Sequence, residues 1–378
     1  MESEKKRILY ITVRSDIGGG PFHVDLLINN LADKYDIFIA APTNEPYGYK
    51  WKDLLGDDKF FDLPFRSFKI TTLFKLISFI KKNKIEIVHA HGRGAGIYSR
   101  LAKMFYSKFI SVYTFHGFHI QQYKSIGQKF YVLVERFFSG FTDLFINVSR
   151  GENNVCLTYR IFNEPKSVVV YNAIKPIKRS EQDKIELRNN LMLPQDKFIV
   201  ISVVSFNTPK NVPLILTIAK QLTEHKNILF TVIGDGEQKT QIEELLKREK
   251  LENVLLLGSK NNVTQHLFAS DLYLSTSLWE GMPYSLIESA AAGLPIVASN
   301  VTGNNEIVEN DRNGFLFELS QPEGAAQKIV AILNSKELQQ KYSRNSINIF
   351  NEKFELTGMI QKMKDIYNRL ASKNKTEN

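Results

Sequence analysis

DLYLSTSLWEGMPYSLIESAAAGLPIVA, residues 271–298, reads as a strand, a loop, a helix and the start of a second strand. The apolar run that opens it stops at Ser275. A short loop with Glu280 and Gly281 follows. Pro283 then stands where a helix can begin, since the first helical N–H groups have no intrahelical partner to lose. The helix is expected over Tyr284 to Ala292, Gly293 stops it, and Pro295 prevents its return before the next strand. A strand, a helix and a strand in this order make a parallel βαβ unit, and ligands of such sheets bind beyond the carboxyl ends of the strands. Glu280 falls at such an end, and Glu288 falls inside the helix eight residues later. The N–H groups of Tyr284, Ser285 and Leu286, after Met282 and Pro283, form a positive helix terminus suited to a diphosphate. Spacing alone does not carry this reading. Glu244 and Glu252 have the same separation in a plain amphipathic helix and its turn, without the strand–loop–Gly–Pro–helix setting.

Outward from this stretch the same alternation runs through the chain. In the first half, strands are expected near 7–13, 36–41, 86–89, 109–114, 143–148 and 167–171, with helices near 21–33, 70–83, 94–106, 126–139 and 149–160. In the second half, strands are expected near 198–204, 228–233, 253–257, 271–275, 295–298 and 314–317. Helices there fall near 211–224, 237–249, 262–268, 284–292 and 321–334. The expected fold class is α/β, with two doubly wound, Rossmann-like domains whose parallel sheets face a central cleft. The boundaries follow composition. An N-terminal domain spans 1–174. A charged, Pro-containing linker spans 175–196. A C-terminal domain spans 197–352, a last helix at 353–370 is expected to pack back toward the first domain, and a polar tail spans 371–378.

The chain has 378 residues, 43% of them hydrophobic and 24% charged, as in a soluble globular protein. Its single cysteine, Cys156, excludes an internal disulfide framework and fits a reducing compartment. Lys5, Lys6 and Arg7 precede the run Ile8 to Val13, which is too short to span a bilayer and lacks a signal-cleavage site. Residues 1–175 hold 25 Lys/Arg against 16 Asp/Glu, which accounts for the whole formal charge of +9. A one-sided excess suits an anionic partner, and an anionic membrane surface or a phosphorylated acceptor fits best. No nucleic-acid motif accompanies the charge, so no nucleic-acid partner is expected. Within this half, residues 67–84 carry a helical stripe of Leu73, Leu76, Ile77 and Ile80 between lysines. That stripe reads first as an ordinary helix packed on its sheet. The lysines, with Phe74 or Phe79, remain available to a membrane.

Further segments fit ligand-bearing loops. Gly18, Gly19 and Gly20 lie between the first strand and helix and can bring backbone amides against phosphate. The loop has neither GxGxxG spacing nor a Walker lysine, which excludes the usual dinucleotide and P-loop readings. His116, before Gly117, stands at a strand's carboxyl end. His91 stands at another such end, His89 reads as interior, His119 is a further acceptor-side candidate, and His23 has no assigned chemistry. The second domain opens with Val203-Val204-Ser205-Phe206-Asn207-Thr208-Pro209-Lys210, and Gly234 and Gly236 end its second strand. No His/Cys/Asp group shows metal-ligand spacing along the chain, and no Asp-x-Asp pair stands at a strand end, so no metal site is expected.

The run Glu280-Gly281-Met282-Pro283 … Glu288-Ser289-Ala290-Ala291-Ala292-Gly293-Leu294-Pro295 resembles the E-x7-E signature of the GT4 retaining glycosyltransferases, which have the GT-B fold, and the resemblance extends over nearly the whole chain. It implies that Glu280 contacts the donor sugar near the reacting carbon and that Glu288 hydrogen-bonds the ribose hydroxyls. It also implies that the glycine loop borders the diphosphate, that Gly234 and Gly236 pass along the nucleotide, and that His116 lies near the transferred sugar. Lys210 matches a family lysine that offsets charge on the leaving diphosphate, and Ser205 stands where the family has an arginine. The implied activity is metal-independent, retaining transfer from a nucleotide-diphosphate sugar, with UDP as the expected nucleotide and no cofactor. The implied acceptor, on the side of the N-terminal domain (1–174) with the nucleotide sugar on the C-terminal domain (197–352), is a lipid-linked or other saccharide hydroxyl in capsule or lipopolysaccharide synthesis, at the cytoplasmic face of the membrane. A nucleotide-sugar 2-epimerase and a non-catalytic nucleotide-sugar-binding protein are the alternatives.

Overall fold

A computed structural model describes residues 5–118, 120, 124–178 and 183–376, with side chains as far as Ser372. The chain forms two compact units, Met1–Asn172 with Thr357–Asn378, and Ala173–Leu356. The first unit runs β1 (Arg7–Ile11), α1 (Gly19–Leu31), β2 (Asp36–Ala41), α2 (Tyr47–Leu55), β3 (Phe60–Asp62), α3 (Ile70–Lys82), β4 (Ile87–His91), α4 (Arg93–Phe105), β5 (Ile110–Thr114), α5 (Ser125–Ser139), β6 (Leu144–Asn147), α6 (Arg150–Thr158) and β7 (Ser167–Val169). All its strands are parallel, in the order β3-β2-β1-β4-β5-β6-β7. The central strands are buried along nearly their whole length, as covering of both faces requires.

The second unit runs α7 (Lys184–Asn190), β8 (Phe198–Val203), α8 (Val212–Gln221), β9 (Ile228–Ile233), α9 (Lys239–Glu249), β10 (Val254–Gly258), α10 (Val263–Ala269), β11 (Leu272–Ser275), α11 (Tyr284–Ala291), β12 (Ile296–Ser299), α12 (Asn304–Ile307), β13 (Gly314–Phe317), α13 (Pro322–Leu333) and α14 (Lys336–Lys353). Its parallel order is β10-β9-β8-β11-β12-β13. In each sheet the order reverses direction once, between β1 and β4 and between β8 and β11. Those are the switch points at which doubly wound sheets open a ligand crevice.

Several expectations need correction. The interval 175–196 is not a bare linker. Asp183 caps α7 by accepting from Glu186 N, and Leu187 and Leu193 pack with Ile199 and Ala269 in a small core of the second unit. Arg188 donates to Ala269 O at 2.9 Å and Asp271 Oδ2 at 2.6 Å. Charges that read as solvated are spent on this anchor. The second unit begins at Ala173 and ends at Leu356, and α14 adds a helix that the apolar pattern hides. Only Tyr342, Ser346, Ile349 and Phe350 of its 18 residues are buried. β3 has three residues, and α2 buries only Gly48 and Trp51, so neither leaves a periodic signal. The last helix, α15 (Leu356–Thr376), belongs to the first unit from Thr357 on. There Tyr367 is fully buried and its hydroxyl meets His89 Nδ1 at 2.7 Å. The expected polar tail from 371 remains helical to Thr376, because Ala371 still packs inward.

The stripe at 67–84 is core. Leu73, Leu76, Ile77 and Ile80 of α3 join Leu9, Val88, Tyr98 and Tyr131 in one buried cluster. Phe79 packs against the Phe38 and Phe61 rings, whereas Phe74 is exposed. Beneath α4 and α5 lies a buried ion pair, Arg100 Nη1 to Glu135 Oε2 at 2.5 Å. The Arg100 guanidinium also sits 4.5 Å from the Tyr113 ring centroid and donates through Nε to Gly96 O.

Candidate active site

The expected constellation divides between the two units, each part at its own switch point. In the second unit, the loop after β11 is tied to the backbone of the loop after β8. The Thr276 hydroxyl shares its one proton between Lys210 O and Asn211 O, both at 3.1 Å, and Leu278 N donates to Pro209 O. This join brings Lys210 Nζ to 2.5 Å from Glu280 Oε1, and Ser277 Oγ donates to the same oxygen at 2.6 Å. Ser277 is held in turn through its carbonyl, which accepts from Ser299 Oγ at 2.6 Å. Glu280 is therefore fixed from two sides and not a loose surface carboxylate. Neither spacing nor residue type sets Ser277 or Thr276 apart along the chain.

Pro283 is the N-cap of α11, and the first backbone bond of that helix is Ile287 N to Pro283 O. The N–H groups of Tyr284, Ser285 and Leu286 thus precede the intrahelical ladder, as an anion site needs. Met282 and the Leu286 side chain are buried, so Leu286 can offer only its backbone. Gly303, which no motif singles out, lets the next loop lie against this one. A Cβ there would stand 2.6 Å from Gly281 O, and its φ of +86° favours glycine.

Glu288 sits one turn further along α11, and burial pushes its carboxyl from the ordinary 4.5 to about 7. A raised carboxyl contributes stability that is intact below its unfolded value and is lost as pH climbs from about 4.5 to about 7. Glu288→Gln removes that loss. Because the side chain keeps some solvent contact, the gain expected at pH 8 is about 1–3 kcal/mol, with almost none at pH 4. Urea unfolding at the two pH values measures it. Equal effects at both pH values would refute the desolvation account.

Gly234 and Gly236 have a packing reason to be glycine. A Cβ on Gly234 would lie 1.7 Å from Val204 O, and one on Gly236 would lie 2.6 Å from Phe206 O. Both therefore allow the β8 and β9 loops to meet, whatever else passes there. Ser205, in the place of the family arginine, is exposed.

In the first unit, Gly18 is the N-cap of α1 and Gly19 and Gly20 form its first turn. A Cβ on Gly20 would meet nothing within 4 Å, so space stands open above that turn. Beside it the fold gathers three histidines from separate elements. His23 from α1, His91 from the end of β4 and His116 after β5 each bring one ring nitrogen within 4.8 Å of the others. His91 Nδ1 and His116 Nε2 are 3.0 Å apart and share one proton, while His91 Nε2 is buried without a hydrogen-bond partner. Burial lowers the pKa of all three, His23 to about 4 and His91 and His116 well below the ordinary value, with neighbouring imidazoles adding to the effect on the last two. They are neutral at pH 7 and serve as hydrogen-bonding or ligating groups rather than cations. His116 has a φ of +57°, and the following Gly117 N donates to Glu152 Oε1 at 2.6 Å. At the start of α6, Glu152 N also donates to the N-cap Ser149 Oγ at 3.0 Å, and Glu152 Oε2 accepts from Val148 N at 2.8 Å. The Ser149-Arg-Gly-Glu152 spacing is legible in the sequence as a cap, but its hold on the His116 turn is not.

The absence of ligand spacing along the chain did not exclude this cluster, because residues 23, 91 and 116 meet only through the strand order β1-β4-β5. Three neutral imidazoles are a possible donor set for a zinc-type ion. His89 is different: Tyr367 and Thr114 engage both its nitrogens, as an interior residue requires. His119 lies outside the described residues.

Comparison with known proteins divides the chain in the same way. Residues 17–177 match the family described as Glycosyltransferase Family 4, and residues 183–349 match Glycosyl transferases group 1. The chain belongs to the family 4 glycosyltransferases. A UDP-Gal:alpha-D-GlcNAc-diphosphoundecaprenol alpha-1,3-galactosyltransferase of Escherichia coli is 29% identical to this transferase over 304 residues, 78% of each chain. The O-antigen biosynthesis glycosyltransferase WbnH of Escherichia coli is 26% identical over 321 residues, 83% of this chain and 86% of WbnH. Among solved structures, Anabaena Alr3699/HepE in complex with UDP-glucose superposes with a TM-score of 0.84 at 18% identity, covering 96% of this chain and 99% of that one. That likeness concerns the fold, which is GT-B.

Proposed function

We propose that this glycosyltransferase moves a hexosyl or N-acetylhexosaminyl group from a UDP-sugar to a hydroxyl of a lipid-linked glycan, with retention at the anomeric carbon, during O-antigen or capsule-type polysaccharide synthesis. The observation that carries the reading is Glu280 pinned by Lys210 and Ser277 just before the N-terminus of α11, at a switch point. In this reading the bond from the anomeric carbon to the diphosphate oxygen breaks and UDP departs. The acceptor oxygen bonds to the same carbon, and its proton leaves to a phosphate oxygen on that face. The leaving group is already activated, so positioning and electrostatics supply the catalysis. The α11 terminus and Lys210 receive the developing diphosphate charge, Glu288 takes the ribose hydroxyls, and Glu280 and His116 orient the sugar. No metal takes part in these steps. The relatives are named for transfer to an acceptor, which favours transfer over epimerisation. The acceptor named for one of them is a diphosphoundecaprenol, which suits a site of action at the inner membrane face. Among the described residues no helix is long and apolar enough to cross a membrane, so the proposed association is peripheral.

Thermal denaturation with UDP, UDP-galactose, UDP-N-acetylglucosamine and GDP, with and without EDTA, tests the donor site. A UDP ligand at a hundred times its Kd should stabilise the protein by about 2.7 kcal/mol. The stabilisation should be unaffected by EDTA, absent with GDP and lost in Glu288→Ala. No response to any uridine nucleotide would remove the donor assignment. A response abolished by EDTA would instead make metal necessary and bring the three-histidine cluster into question.

A further inference from the structure

α5 turns a row of large apolar side chains outward. Ile126 is 85% exposed, Phe130 68%, Leu133 64% and Phe137 60%. At 100° per residue these four lie within a wedge of about 60°, a single stripe along a helix some 22 Å long. Lys129 and Arg136 flank the stripe on one side, and Lys124 stands at its start. The only acidic residue of the helix, Glu135, points inward to Arg100. The inner side of α5 is satisfied separately, with Tyr131 and Val132 in the same core cluster as the buried sides of α3 and α4. On that face of the sheet Phe74 and Phe105 are also exposed, with ring centroids 5.8 Å apart. A contiguous exposed apolar row of this kind marks a contact surface.

Charge selects the partner. From Arg66 to Arg136, the segment that supplies α3, α4 and α5, there are thirteen Lys/Arg and only two Asp/Glu, Glu86 and Glu135. The excess that the sequence placed in the first half is concentrated on the elements carrying the apolar row. We propose that α5 is the membrane-docking element of this protein. Its Ile126–Phe137 stripe enters the acyl boundary of a bilayer while the surrounding cations bind anionic lipid headgroups. An amphipathic helix lying in the interface uses this combination of apolar area and basic flank. A second copy of the chain is a poorer occupant. A two-fold contact through this face would oppose one strongly basic surface to another. The docking face rests on the proposed lipid-linked acceptor only for its purpose, since none of its residues belongs to the histidine cluster or the α11 loop.

The test uses the full chain with vesicles of phosphatidylcholine alone and of phosphatidylcholine with phosphatidylglycerol, read by co-flotation. The wild type should bind the anionic vesicles, and each added cation at the surface favours binding by about fivefold. The pair Phe130→Glu and Leu133→Glu should lower the partition by at least about tenfold, as loss of buried apolar area at the interface implies. Lys124→Glu with Lys129→Glu should remove the preference for anionic vesicles. Both variants should keep the wild-type melting temperature and its UDP-dependent stabilisation. Glutamate variants that bind like wild type, or a wild type that ignores anionic vesicles, would overturn the proposal. So would a light-scattering dimer that Phe130→Glu with Leu133→Glu dissolves, since the stripe would then be a subunit contact. Vesicle binding without any uridine-nucleotide response would leave the docking face standing and sink the donor reading. The reverse pattern would sink the docking face alone.

Discussion

Lys210→Ala is expected to lower kcat by about 10²–10³-fold while leaving KM for the donor within a few-fold, the behaviour of a group that acts on charge appearing in the transition state. Lys210 is held 2.5 Å from Glu280 by a loop whose backbone is tied to Thr276, so its ammonium is positioned before any donor arrives. The diphosphate gains negative charge as the glycosidic bond breaks, and a prearranged cation costs no reorganisation at that moment. With Ser205 exposed where the family has an arginine, the site depends more heavily on its remaining lysine. Lys210→Arg should recover part of the rate, since it restores charge without the point-like ammonium. Steady-state kinetics on the purified variants, with melting curves as a folding control, measure the effect. A fall confined to KM would assign Lys210 to ground-state binding. An unchanged rate would remove it from the chemistry. Glu280 keeps the Ser277 hydrogen bond in the variant, so the loop itself should remain ordered.

The unequal legibility of the two clusters has a physical cause. Residues 271–298 encode their own geometry, because strand end, loop, helix start and helix stop follow each other in the chain and each has a local signal. Glu280, Glu288 and the α11 terminus were therefore readable without tertiary knowledge. Lys210 was readable only through resemblance. Its partner is 70 residues away, and the contact exists because β8 and β11 are neighbours. The histidine cluster is harder still, since three elements must meet before His23 has any role. Fold class was secure because short apolar runs alternate with longer amphipathic segments. α2, α14 and the three-residue β3 escaped because each is polar or too short to show a period. The 175–196 segment misled through its charges, which read as solvated until Asp271 is seen to receive both Lys184 and Arg188. The α5 stripe shows the opposite ambiguity. Apolar residues at helical spacing ordinarily mean core, and only exposure separates Phe130 and Leu133 from Tyr131 and Val132 beside them.

Glu135→Ala is expected to destabilise the first unit by about 3–5 kcal/mol, a large share of the net stability of an ordinary domain. Arg100 is fully buried, and among the described residues Glu135 is the one carboxylate that pairs with it. Removing the carboxylate leaves a guanidinium that cannot lose its proton and has, among the described residues, only Gly96 O and the faces of Tyr113 and Phe138 as partners. The cost is therefore the desolvation of an unpaired charge rather than the value of one hydrogen bond. Replacing both residues, as Arg100→Met with Glu135→Leu, should return most of the loss, because the pair repays its own dehydration poorly. Urea unfolding of Arg100→Met, Glu135→Leu and the double variant gives the cycle. Additive losses would show that the residues act separately, and a double variant near wild type would confirm a coupled pair. The pair also fixes the rotation of α5. Glu135 lies on the side opposite the Ile126–Phe137 stripe, so pulling this carboxylate inward to Arg100 turns the apolar row outward. The double variant should preserve that rotation through packing and keep vesicle binding. Glu135→Ala should weaken vesicle binding only under conditions where the unit itself begins to unfold.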